Sequence, residues 1–235
     1  LQIKGKASAA NSQSFNGTSV LQGQSFVYLN QNSASSLNVN LGTLTRSAGG
    51  LLDFTLPTAG TLYATASNVN GILGPWATVS TATSLGAALD WATISAGSIA
   101  AYSGYSDITT SGGTIASDPT ANLRINAGAT VTTTNAAASV TDINSLLVAA
   151  SNTATSTLSI AAGGTLRFGA VGGILMANGA GALTISGSGV LTAGGAPNTS
   201  GELIILNSQP SPTGTALTIS SPIKDNGTGA VTVVY

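Results

Sequence analysis

The chain has 235 residues, and Gly (30), Ala (36), Ser (30), Thr (32) and Asn (17) supply well over half of them at a formal net charge of −1. It has no Cys and no His, which excludes a disulfide framework, a zinc finger, a thiol nucleophile, a Ser-His-Asp triad and an imidazole metal site. Six basic residues spread from Lys4 to Lys224 cannot form the positive stripe that nucleic-acid binding needs, so no nucleic-acid partner is expected.

Leu, Ile, Val and Phe make up about 24 % of the chain, above the ~20 % below which packing usually fails. Net charge is low where disordered chains tend to carry much. A folded chain is expected. No segment approaches the ~18–20 consecutive apolar residues of a membrane-spanning helix. A transmembrane barrel needs strands of about 9–11 residues with aromatic girdles, whereas the apolar clusters here are short and aromatics few. The chain opens at Leu1 without a leader-like segment, and its only Met is Met176, so it reads as part of a longer, processed protein.

In chain order, residues 1–57 carry the clusters Ser25-Phe26-Val27-Tyr28-Leu29 and Gly50-Leu51-Leu52-Asp53-Phe54. Residues 60–108 form an aromatic-rich section with both Trp and three of the five Tyr. Residues 109–235 are the most repeat-like, with apolar–polar–apolar triplets at Leu123-Arg124-Ile125, Leu158-Ser159-Ile160, Leu166-Arg167-Phe168, Leu183-Thr184-Ile185, Leu217-Thr218-Ile219 and Val231-Thr232-Val233. Period two is the signature of a strand with one buried face. Arg124 and Arg167 hold the middle slot, where a charge can reach water. Asn-Ala-Gly, Asn-Gly-Ala-Gly, Ser-Asp-Pro and Asp-Asn-Gly punctuate the gaps with residues suited to sharp turns. The best helix candidate, Val140 to Ala150, is interrupted by Asn144 and Ser145, and Leu146-Leu147-Val148 serves equally as a strand.

Many short strands fit a sandwich, a barrel or a solenoid. The short clusters, the Thr/Ser/Asn outward slots and the scarcity of C-terminal aromatics favour an all-β parallel β-helix (β-solenoid) with irregular coils. At about 20–25 residues per coil, roughly ten coils are expected. The triplets from Leu123 onward start 35, 8, 17, 34 and 14 residues apart, so no fixed period emerges. With no linker in sight, residues 1–235 read as a single continuous solenoid segment.

The stretch Asn70-Gly71-Ile72-Leu73-Gly74-Pro75-Trp76-Ala77-Thr78, followed by Asp90-Trp91-Ala92-Thr93 and Ala101-Tyr102-Ser103-Gly104-Tyr105, resembles a block of bacterial autotransporter-associated β-strand repeat proteins. In that family a second Gly usually stands where this chain has Pro75. The run from Asn144-Ser145-Leu146-Leu147-Val148 through Ala161-Ala162-Gly163-Gly164-Thr165-Leu166 is similar to further units of the same proteins. The resemblance implies a secreted, right-handed parallel β-helix of passenger type on a bacterial surface, in a group that includes adhesins, surface-layer components and fibres.

The acids Asp53, Asp90, Asp107, Asp118, Asp142, Asp225 and Glu202 show no spacing that demands a catalytic pair, and several sit in turn contexts. No calcium nonapeptide, EF-hand or phosphate loop is present, so no metal and no cofactor is expected. Trp76, Trp91, Tyr102 and Tyr105 are the candidate contact patch, for a glycan or a protein; local packing is the alternative. The expected function is a non-catalytic structural or adhesive extracellular β-solenoid of a bacterial cell surface or fibre. Its expected partners are further copies through the solenoid ends and a glycan or host-cell ligand. The second reading is a carbohydrate-binding or carbohydrate-processing β-helix. With so few titrating groups, stability is expected to change little between about pH 5 and 9.

Overall fold

Leu183 and Ile185 are fully buried while Thr184 between them is half-exposed, the result that a period-two triplet dictates when one face of a strand meets a core. The computed structural model, which describes residues 1–80, 86–108, 112–127, 130–133, 139–209 and 217–235, repeats this arrangement throughout. The described chain is all-β, without helix, and its parallel coils stack into a β-solenoid of about eight turns. Its contacts divide it into two units, Leu1–Ser103 and Gly104–Tyr235.

Unit 1 contains β1 (Gln2–Lys4), β2 (Ala10–Ser14), β3 (Gly17–Val20), β4 (Gly23–Asn30), β5 (Ser36–Arg46), β6 (Gly50–Thr55), β7 (Gly60–Thr65), β8 (Ala77–Ser80), β9 (Ala88–Ser95) and β10 (Ser98–Ala101). Strands β1, β4, β6 and β8 stack in parallel, and so do β2, β5 and β7, with β3 also on β5. Register partners Gln2 and Tyr28, Gly23 and Gly50, and Leu37 and Gly60 give coil lengths of 26, 27 and 23 residues. The hairpin β9–β10 then breaks the pattern. It lies antiparallel on β8 through β9 and on β7 through β10, joining the last strands of the two stacks. Its turn has Ala96 at φ 48 and Gly97 at φ 79, the two left-handed residues of the tight turn that matches strand twist. Ala92 and Ile99 of the hairpin join Val27, Leu29, Val39, Phe54 and Leu62 in one buried core.

Unit 2 contains β11 (Ser106–Ile108), β12 (Thr114–Ile115), β13 (Asn122–Ile125), β14 (Thr130–Thr133), β15 (Val140–Asp142), β16 (Ser145–Val148) and β17 (Ser156–Ser159). It continues with β18 (Thr165–Phe168), β19 (Val171–Met176), β20 (Leu183–Ser186), β21 (Val190–Ala193), β22 (Gly201–Asn207), β23 (Leu217–Ile219) and β24 (Val231–Val234). These form three parallel sheets, ordered β11-β13-β16-β19-β22-β24, β12-β14-β17-β20-β23 and β15-β18-β21. Each full coil contributes one strand to each sheet. Ser145 to Val148 is a strand, so the helix alternative for Val140 to Ala150 does not hold.

The expected ten coils become eight because residues leave the coil path for the hairpin and for long connections. Register partners range from 17 residues apart (Ser106 and Leu123) to 34 (Leu183 and Leu217). Polar corners hold the coils together. Asn122 Oδ1 accepts hydrogen bonds from the Asn144 side-chain amide at 2.8 Å and the Ser145 hydroxyl at 2.7 Å, all three residues being buried. Gly181 sits so close to the Ala154 carbonyl of the preceding coil that any Cβ there would collide with backbone.

Two substitutions on β20 separate the faces. Ile185→Ala is expected to cost about 2–5 kcal/mol in urea denaturation, and Thr184→Ala, one residue away but facing out, less than about 1 kcal/mol.

Candidate functional site

The four aromatics singled out in the sequence occupy different environments. The block that carries them begins with a tight turn, in which Asn70 (φ 51) and Gly71 (φ 87) reverse the chain and Val69 pairs with Ile72. Asn-Gly is the natural pair for two left-handed positions. The Leu73 amide then donates to the Ala92 carbonyl of β9 at 2.8 Å, pinning the block to the hairpin. Trp76 is half-buried against the unit 1 core, with the Arg46 guanidinium 5.8 Å from its ring centre. Trp91 on β9 is fully buried and presents no face to a ligand. Tyr102, half-buried, donates its amide to the Trp91 carbonyl at 2.9 Å, and its ring covers Gly71 closely enough that a Cβ there would lie 2.8 Å away. Tyr105 belongs to unit 2, where Arg124 stacks 4.7 Å from its ring centre.

The ionisable residues follow the ladders. Asp107 of β11 and Arg124 of β13 are register partners, and Arg124 binds both carboxylate oxygens, at 2.7 and 2.9 Å. Asp142 of β15 and Arg167 of β18 repeat the arrangement at 2.6 and 3.1 Å. Arg167 departs from the expectation that its slot faces water: it is only 8 % exposed. Its planar guanidinium lies along the carboxylate of the coil before it, and the fork geometry satisfies two donors at once. Hydrogen bonding to Arg124 holds the Asp107 carboxyl below its usual range. The Thr120 hydroxyl and amide do the same for Asp118, which closes its own turn. Asp225 accepts from the Val231 amide at 2.9 Å.

Asp53 is the exception. It sits on β6, 4 % exposed, between Phe26 of β4 and Thr78 of β8 in register. The Thr78 hydroxyl donates to its Oδ1 at 2.7 Å, while Oδ2 makes no hydrogen bond of ordinary geometry. Burial pushes its carboxyl above the usual aspartate range; Thr78, Ser80 and the Gly86 amide pull the other way without offsetting it. A signal for this was present in the sequence. Leu51, Leu52 and Phe54 around Asp53 are apolar at both phases of the alternation, which marks a strand covered on both sides, and all six residues of β6 are buried.

A cavity of about 340 Å³ opens at the first coil of unit 2, with Ile108, Ile115 and Leu123 among its apolar lining and Asp107 and Asp118 as its carboxylates. Both carboxylates already have the internal partners described. Among the described residues, no group of three or more acidic residues could hold a metal ion, and no helix is long and apolar enough to cross a membrane. No protein-family model, no curated protein and no solved structure matches this chain.

The two ion pairs differ in exposure, and their removal should differ accordingly. Arg124→Ala, at a pair whose side chains are 26 % and 34 % exposed, is expected to cost at most about 1 kcal/mol. Arg167→Ala strands Asp142 in a more buried place and should cost at least about 2 kcal/mol. Chemical denaturation of both variants checks the order.

Stability against pH should show two opposed limbs. The flat profile expected between pH 5 and 9 presumed no buried carboxylate, and Asp53 is one. Its raised pKa contributes stability that is present below 3.8 and lost as pH rises through the folded-state value. Asp107 and Asp118, with lowered values, contribute stability that is present above 3.8 and lost as pH falls. Melting temperatures of Asp53→Asn should lack the first limb and keep the second.

Proposed function

We propose that this chain is a non-catalytic structural or adhesive β-solenoid of a bacterial cell surface or extracellular fibre, acting through its stacked outer faces. One observation carries the reading: five of the seven side-chain carboxylates are engaged within the fold. Asp107 and Asp142 are clasped by arginines one coil on, Asp118 and Asp225 cap turns, and Asp53 is buried on Thr78. A general acid or nucleophile needs a carboxylate aimed into a cleft with its protonation matched to the reaction. Asp107 and Asp118, which line the cavity of unit 2, are already held by Arg124 and Thr120, and Asp53 is buried away from any cleft surface.

The surface supports the same reading. On the sheet β17-β20-β23, Thr157, Thr184 and Thr218 follow one another in register, and Ser159 and Ser186 form a second file beside them. Hydroxyls on a flat parallel sheet give a hydrated, weakly charged face that resists collapse without large electrostatic fields. Secretion, an adhesive role and end-to-end association belong to the proposal and rest on composition and on the resemblance of the Asn70–Thr78 block.

A carbohydrate-binding function is the second reading, favoured by the half-buried Trp76 with Arg46 over its ring. Purified protein offered a panel of polysaccharides is expected to release no reducing ends or unsaturated products, and electron microscopy at rising concentration is expected to show threads. Turnover abolished by substitution of one carboxylate would overturn the non-catalytic reading. Glycan binding lost on Trp76→Ala would favour the second.

A further inference from the structure

Unit 1 ends in a hairpin that joins the edges of its two stacks, and one buried carboxyl lies in the file of side chains that runs to it. Phe26 of β4, Asp53 of β6, Thr78 of β8 and Trp91 of β9 are consecutive register partners. Asp53, Thr78 and Trp91 are each no more than 4 % exposed. Beside the file, Thr55 and Ser80 share a hydroxyl hydrogen bond at 2.9 Å, also buried. Gly86 approaches the Phe26 ring, where a Cβ would come within 3.3 Å. Every residue of β6 and β8 is buried, and Asp53 among them has one buried oxygen that lacks a hydrogen bond of ordinary geometry.

Among the described residues, no basic side chain stands beside it. β4 contributes Phe26, β8 contributes Thr78 and Ser80, and residues 86–88 are Gly and Ala. The nearest titratable residue on β9 is Asp90, which pairs with Val79 on the other phase of the strand. Among the described residues, no ion pair reaches Asp53. A neutral carboxyl fits such a buried place, where an ionised one is penalised by desolvation.

We propose that Asp53 is a pH-sensitive latch for the capped end of unit 1: neutral, it lets β9 stay paired along the edge of β8, and ionised, it frees the Trp91 segment from that edge and admits water. Burial already pushes the carboxyl above its usual range, which is the direction the latch requires. Freeing the hairpin has a structural consequence. β8 loses β9 and β7 loses β10, so the two strands at that end present unpaired edges, the form in which sheets recruit other chains. Rising pH then favours strand pairing through this end, and falling pH closes it.

Trp91 reports on the latch directly. In a Trp76→Phe background it is the sole tryptophan, and its emission and acrylamide quenching are followed as pH is raised from 3.5 to 8. The expected result is a red shift and increased quenching in one titration step above 3.8, with most of the far-UV circular dichroism retained because only the pairings of β9 with β8 and β10 with β7 are lost. Asp53→Asn should leave Trp91 shielded at every pH. Thr78→Val removes the hydroxyl that favours the ionised form and should move the step to higher pH, which decides the matter if Asp53→Asn does not fold. Trp91 equally shielded at all pH values, a step that survives in Asp53→Asn, or a midpoint unmoved in Thr78→Val would each overturn the proposal.

Discussion

A strand in a parallel coil cannot satisfy its own backbone; its N–H and C=O groups are paired only by the coils before and after it. That requirement governs the molecule. Once β17, β20 and β23 are hydrogen-bonded in register, Leu158 must meet Ile185, and Ile185 must meet Ile219. Inward positions therefore become apolar files and outward ones hydroxyl files. Where Arg enters the coils of unit 2, the ladder offers it a carboxylate one rung away, as at Asp107 with Arg124 and Asp142 with Arg167. The near-absence of charge in the sequence and the stacking of its coils are two sides of one constraint.

Corners obey the same economy. Between strands the backbone must turn without leaving buried polar groups unpaired, and Asn supplies a donor and an acceptor on one short side chain. Asn152 donates to the Ser156 hydroxyl at 3.0 Å, and Asn226 to the Thr199 carbonyl at 3.0 Å. Gly serves where coils approach most closely, as Gly181 does under Ala154. The richness in Gly, Asn, Ser and Thr, which at first suggests disorder, is what tight stacked corners consume.

Some of this was legible in the amino-acid order. The triplets at Leu123, Leu166, Leu183, Leu217 and Val231 fall on β13, β18, β20, β23 and β24, and their alternation led to the solenoid. The period was not legible, because successive triplets belong to different sheets: Leu158 starts a triplet on β17 and Leu166 one on β18, two faces of the same coil. Their spacing measures a corner, not a repeat. The alternation also misreads strands covered on both sides. Leu147 of β16 and Leu175 of β19 hold the middle slot and are fully buried, as Arg167 nearly is. Trp91 escaped for another reason: it lies on a hairpin that pairs with the edge of β8, a long-range contact that no local pattern records.

The central claim is the stacking register, and the chain's lack of cysteine makes it testable without interference. Thr157 and Thr184 are partners on β17 and β20, outward-facing, at a strand separation of about 4.8 Å. Cysteines placed at both should cross-link on oxidation or with a short bis-thiol reagent, since that separation lies within disulfide reach. Cysteines at Thr157 and Ser186, two residues out of register, should cross-link far less. Equal yields from both pairs, or the reverse order, would contradict the register on which the account of this fold rests.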